Sequence, residues 1–399
     1  MKILFLVYYY FPNGRAATWS TYALSKRLAR DNEVYLIVPN LSIRDGLCEA
    51  LVRHYEERNP TLVRRVPFFR LPSKIAPLLS PLFLFLDGLK VGRRCDVILC
   101  QFQPHHFTFL VGVCLSKILG IPAVARANDV QRDMGIRARN MFQGLNLLRR
   151  RMFNTMNESF VKEADAFLLV CRELRPILES RTGRLDNLHL CYNGVDPQEF
   201  MGLSYEEARK LLSIRETDEV ILFIGRFSGP LYKIDVLLKA FNIVSEEYPD
   251  ALLILVGDRL PNAYRPLIGD SERVRILNLV SRFEIKKYVI AADVCIGTLG
   301  RGIGIPLKVL EYMIASKPVV TGVDSVSREV VDNGRNMMVV QPEPRDVARA
   351  VMKILGDGDF ARSLGENARR TAENYTWDGI ADRLEGVLRD AVMARMTHD

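Results

Sequence analysis

Residues 221–241 read ILFIGRFSGPLYKIDVLLKAF, and residues 302–320 read GIGIPLKVLEYMIASKPVV. In the first stretch an apolar strand ends at Gly225, a basic loop carries Arg226 and Lys233, and an amphipathic helix follows. In the second, a glycine-flanked turn opens a helix holding Lys308 and Glu311. A glycine turn lets backbone approach phosphate oxygens, and the helix N-terminus behind it favours negative charge. Arg and Lys add charge-assisted donors, and a carboxylate accepts both hydroxyls of a ribose. The pair of segments therefore predicts a site for a diphosphate and a ribose.

Outward from this pair, short apolar strands alternate with helical segments, as in parallel sheets covered on both faces. The first half offers KILFLVYYY, EVYLIVP, DVILCQF, PAVARAN and AFLLVC, with TWSTYALSKRLARD at helical spacing between the first two. The second half offers VILFIGR, ALLILVGD, VRILNL, DVCIGTL, PVVTGV and NMMVVQ, a fresh series with its own phosphate-type loop. Two Rossmann-like domains are the economical reading. Asn-Gly and Asp-Pro in YNGVDPQEF, residues 192–200, place the boundary there.

Three further stretches stand in a fixed order around the first two: ILFLVYYYFP…GRAATWSTYALSKRLA…EVYLIVP, EADAFLLVCRELRPIL…YNGVDPQEF, and YPDALLILVGD…AADVCIGTL. All five together resemble the retaining glycosyltransferases of family 4. The resemblance runs over nearly the whole chain, with residues 41–95 and 130–158 the least matched. It implies an α/β GT-B fold, two Rossmann-like domains with parallel sheets facing across a cleft. Residues 1–195 would bind the acceptor and 196–378 the nucleotide-sugar donor, with a helix over 379–399 returning to the first domain. The implied reaction moves a sugar from a nucleotide-diphosphate sugar to a hydroxyl of a glycan or polyprenyl-linked acceptor.

Carried over position by position, the resemblance makes Arg226 and Lys233 catalytic, neutralising charge on the departing diphosphate. Gly225, Gly304, Ile305, Pro306 and Lys308 join them around the donor, and Glu311 holds the ribose. Gly14, Arg15 and Asn128 fall where acceptor or sugar contacts are made. Three positions depart from the family's pattern. Ile234 follows the lysine where glycine is usual, Ile303 replaces the first of two paired glutamates, and Asn128 stands where many relatives place a histidine. Asn128 cannot act as a general base at neutral pH. The family is thought to let the departing phosphate take the acceptor proton, so no side-chain base is required. His105 and His106, after DVILCQFQP, are read as structural.

Bulk properties bound these expectations. The chain has 399 residues, 48% hydrophobic and 26% charged, which suits a globular protein of two domains. Seven cysteines, an odd number without paired spacing, argue against a disulfide framework and for a reducing, cytoplasmic compartment. No zinc-type spacing occurs, and no metal or cofactor is expected. The longest apolar run, residues 75–86, is too short to span a membrane. The net charge of +8 then suits acidic ligands, either nucleotide diphosphates or an anionic membrane surface, rather than nucleic acid, for which no basic-aromatic motif stands out. Apolar and basic residues in 75–94 and 137–156 predict peripheral contact with the inner face of the membrane. Two other readings stay open: an inactive GT-B scaffold, motivated by Ile303 and Asn128, and a nucleotide-sugar epimerase. A nicotinamide dehydrogenase is disfavoured, because no G-x-G-x-x-G follows either first strand.

Overall fold

The computed structural model describes residues 1–7, 16–39, 61–66, 76–103, 106–127, 141–183, 185–229, 231–269, 272–278, 280–302 and 304–397. The chain divides into two compact units, Met1–Tyr192 with Trp377–Asp399, and Asn193–Thr376.

In the first unit seven strands are all parallel: β1 (Lys2–Leu6), β2 (Glu33–Pro39), β3 (Leu62–Val66), β4 (Val97–Phe102), β5 (Ala123–Ala127), β6 (Ala166–Leu169) and β7 (Leu188–Leu190). Their order across the sheet is β3-β2-β1-β4-β5-β6-β7. The central strands β4 and β5 are buried along their whole length. That is why they read as continuous apolar runs rather than as alternating patterns. Phe102, Phe109 and Phe167 pack edge to face, with centroids 5.0 to 5.9 Å apart.

Two strands of this sheet were not predicted from the sequence. β3 (LVRRV) and β7 (LHL) are its edges. An edge strand buries one side only and tolerates charge, so its apolar pattern is diluted.

The helix Trp377–Met396 packs against the helix Ala16–Leu28 within this unit. Arg27 and Arg30 both pair with Asp378. Asp378 is 46% exposed, and such pairs contribute at most about 1 kcal/mol each. Burial of Trp377, Ile380, Leu384 and Leu388 contributes about 1.5–3 kcal/mol per side chain, so apolar packing carries the docking.

The second unit repeats the design with six parallel strands: β8 (Glu219–Gly225), β9 (Ala251–Gly257), β10 (Val274–Asn278), β11 (Val294–Ile296), β12 (Val319–Gly322) and β13 (Met338–Val340). Their order is β10-β9-β8-β11-β12-β13. In both sheets the winding reverses beside the first strand. Open α/β sheets bind ligands outside the carboxyl ends of the strands at such a point. In the second unit that point lies between β8 and β11.

Candidate functional site

β8 ends at Gly225, which takes φ 152°, a conformation that side chains resist. Its partner in the ladder is Gly257, the last residue of β9. A Cβ on Gly257 would lie 1.8 Å from the Gly225 carbonyl oxygen, so glycine is obligatory there. The next residue, Asp258, accepts the Phe227 amide at 2.6 Å and stands 3.8 Å from Arg226 Nε. Asp258 thereby anchors the basic loop to the neighbouring strand. The Arg226 side chain remains 71% exposed, and a loose pair of this kind adds little, which leaves its charge available to a ligand.

Lys233 sits at the N-cap of the helix Ile234–Glu247 with φ 48° and ψ 49°, and no side chain caps that helix. Caps are ordinarily Ser, Thr, Asp or Asn, and a left-handed non-glycine residue is held there only by its surroundings. Among the described residues the Lys233 ammonium has no ion-pair or hydrogen-bond partner. The helix end and the lysine together put positive charge at the head of the helix that follows β8. The departure at Ile234 also has an explanation. Ile234 is buried with Leu237, Leu238 and Phe241, and the left-handed turn falls on the lysine itself, so no glycine is needed after it.

The turn after β11 meets this loop. The Gly300 amide donates to the Leu231 carbonyl at 2.8 Å, and Gly304, at φ 80°, accepts from the Ser327 amide at 2.9 Å. Ile305 is buried, and its carbonyl accepts from the Asn193 side chain at 3.4 Å. Pro306 occupies the N-cap of the helix Leu307–Ile314, again without a side-chain cap. Tyr312 of that helix is fully buried, and its hydroxyl oxygen accepts the Ile224 amide at 3.0 Å, tying the helix to the end of β8.

Lys308 is enclosed between the two segments. Its Nζ lies 3.9 Å from the Phe223 ring centroid and 5.4 Å from that of Tyr232, and it donates to the Gly297 carbonyl at 3.2 Å. Burial pushes its pKa down to about 7, with nearby Glu311 opposing. The ring contacts offer about 2 kcal/mol when desolvated, which does not replace the water lost. The unfolded chain therefore holds more protons than the folded one between about pH 7 and the ordinary lysine value. Stability of this unit should rise with pH across that window, and Lys308→Met should flatten the rise. Thermal unfolding of both proteins over about pH 6 to 10 checks this; an unchanged slope in the variant would contradict it.

Glu311 lies in the second turn of the same helix and is 3% exposed. Its Oε1 accepts from Arg282, whose other terminal nitrogen donates to Glu199 at 2.9 Å. Burial pushes the Glu199 carboxyl upward while Arg282 pulls it back. Neither Arg282 nor Glu199 was singled out from the sequence. The three residues lie on separate elements, and no local spacing signals their meeting. Asp258 was legible only as the end of the stretch ALLILVGD.

Gly225, Arg226 and Lys308 thus gather at the end of β8, Lys233 heads the helix that follows, Gly304, Ile305 and Pro306 form the turn after β11, and Glu311 lies one helical turn behind. Gly14, Arg15, Asn128, His105 and Ile303 lie outside the described residues. A cleft lined by Tyr205, Glu219, Asp293, Lys317 and Arg362 opens elsewhere, at the amino ends of the strands of the second unit. Its polar groups are mostly engaged: Tyr205 donates to Asp293 at 2.7 Å, and Lys317 donates to the Ile290 and Ala292 carbonyls. Among the described residues no acidic, His or Cys cluster suits a metal ion, and no helix is long and apolar enough to cross a membrane.

Comparison with known proteins bears on the family and the fold. Residues 218–357 match the family model described as Glycosyl transferases group 1, and residues 17–199 match Glycosyltransferase Family 4. The chain is 27% identical over 342 residues to a D-inositol 3-phosphate glycosyltransferase of Corynebacterium aurimucosum, covering 81% of this chain and 77% of that protein. It is 26% identical over 198 residues to spore coat protein SA of Bacillus subtilis, where the match spans 46% of this chain and 51% of the relative. Among solved structures, Anabaena Alr3699/HepE in complex with UDP-glucose superposes with a TM-score of 0.74 at 19% identity, covering 98% of this chain and all of that one.

Proposed function

Starting from a glycosyltransferase with the GT-B fold, which the two family models and the architecture make this chain, we propose that it moves a sugar from a nucleotide-diphosphate sugar to a hydroxyl group with retention of configuration, as family 4 members do. The observation that carries this reading is the exposed Arg226 beside the uncapped, lysine-headed helix at the end of β8. The acceptor oxygen bonds to the anomeric carbon, the bond from that carbon to the phosphate oxygen breaks, and the freed phosphate takes the acceptor's proton. Arg226 and Lys233 stabilise the charge that grows on the diphosphate, which is usually the largest catalytic contribution. They supply the charge that a metal ion would otherwise provide.

The base is proposed to be uracil, in keeping with the UDP-glucose complex of the structural neighbour. A thermal-shift screen against UDP, GDP, ADP and their sugar conjugates tests the donor class. A ligand at about a hundred times its Kd adds about 2.7 kcal/mol, which is readily seen. Stabilisation by the uracil series alone is expected. No response to any nucleotide would overturn the reading.

The acceptor is proposed to be a glycan or lipid-linked saccharide met at an anionic membrane surface on the cytoplasmic side. The helix Ala76–Gly92 exposes Leu82 and Leu86 one turn apart, followed by exposed Lys90, Arg93 and Arg94. The helix Met141–Phe160 likewise exposes Leu148, Met152 and Met156 beside Arg151. Apolar stripes edged by cations suit the interface of a charged bilayer. Sedimentation with phosphatidylglycerol vesicles at low salt should carry the protein down, and Leu86→Glu with Met152→Glu should release it. Indifference of the wild type to these vesicles would end the proposal.

A further inference from the structure

Glu311, Arg282 and Glu199 come from three separate elements of the second unit: the helix Leu307–Ile314, the first residue of the helix Arg282–Ala291, and the 3-10 turn Pro197–Phe200. The Arg282 side chain is 18% exposed, that of Glu311 5% and that of Glu199 30%. Rather than clasping one carboxylate with both nitrogens, Arg282 gives one to each. Enclosed ion pairs of this kind return little net stability, because desolvation offsets the attraction. Apolar side chains would fill the same space at least as well. What the pair does provide is orientation. Arg282 engages Oε1 of Glu311, and among the described residues Oε2 has no donor. A buried carboxylate with one oxygen held and the other unclaimed is set up to receive a ligand.

On the reading above, in which Glu311 faces the ribose of the donor, we propose that Arg282 is the positioning residue for Glu311. It holds Oε1 and turns Oε2 toward the ribose hydroxyls. Glu199 holds the arginine from its other side. Binding of the ribose is thereby made to depend on a residue that does not touch it.

The test compares UDP with 2′,3′-dideoxy-UDP by calorimetry on wild type, Arg282→Met and Arg282→Lys. A hydrogen bond to a carboxylate predicts about a tenfold preference of wild type for UDP. In Arg282→Met the preference should shrink to about twofold or less, with dideoxy-UDP binding within about threefold of wild type because the diphosphate contacts are untouched. Arg282→Lys, which keeps the charge without the fork, should recover part of the preference, and it carries the test if the methionine variant does not fold. A preference retained in both variants would overturn the positioning role while leaving the ribose reading in place. Equal loss of both ligands would mark Arg282 as structural and likewise overturn it. No preference in wild type would instead overturn the ribose reading, and the inference with it.

Discussion

Arg226→Ala is expected to lower kcat/KM for the donor by about 10²–10³-fold while leaving the fold intact. The two halves of this result have separate causes. The side chain is 71% exposed and stands 3.8 Å from Asp258, so its removal should cost no more than about 0.5 kcal/mol of stability. Its charge, by contrast, would on the proposed reaction face the leaving diphosphate as that group gains negative charge. An interaction that strengthens in the transition state lowers kcat as well as kcat/KM when it is lost. Steady-state turnover together with thermal unfolding separates the two. Unchanged turnover, or a stability loss large enough to explain the rate, would remove Arg226 from the catalytic site.

Gly257→Ala should produce the largest stability change of any single methyl addition in the second unit. The new carbon would sit 1.8 Å from the Gly225 carbonyl oxygen and 3.0 Å from the Phe227 ring. Backbone cannot yield as a flexible side chain does, so β8 and β9 must separate where Gly225 and Gly257 pair. A loss of about 3 kcal/mol, or about 6–12 °C for a unit of this size, is expected in thermal unfolding. The strain falls on Gly225 and Asp258, so UDP affinity should drop in the same variant. Gly358→Ala is the control. It opens the helix Gly358–Ala372, and a Cβ there meets nothing within 4 Å, so neither stability nor binding should fall. Equal behaviour of the two variants would contradict the close approach.

The architecture was legible because most strands are buried on both faces, and burial writes itself into the sequence as unbroken apolar runs. The edges of the first sheet escaped for the complementary reason. β3 carries two arginines and β7 an exposed histidine, which an edge tolerates and a run-based reading rejects. At the site, Gly225, Arg226 and Lys233 were legible because they follow a strand in one short segment. The left-handed turn at Lys233 was not, since the family's usual glycine is replaced and the backbone demand moves one residue back. Arg282 and Glu199 were not legible because their meeting with Glu311 is purely tertiary: Arg282 belongs to no motif, and Glu199 was read only as part of the boundary stretch YNGVDPQEF.

The most direct measurement is a crystal structure of the protein with UDP. The diphosphate is expected against the Gly225–Phe227 backbone, within hydrogen-bond reach of Arg226 and Lys233, and the ribose against Glu311. Nucleotide in the cleft formed by Tyr205, Lys317 and Arg362 at the opposite ends of the strands, or ribose turned away from Glu311, would contradict the site described here.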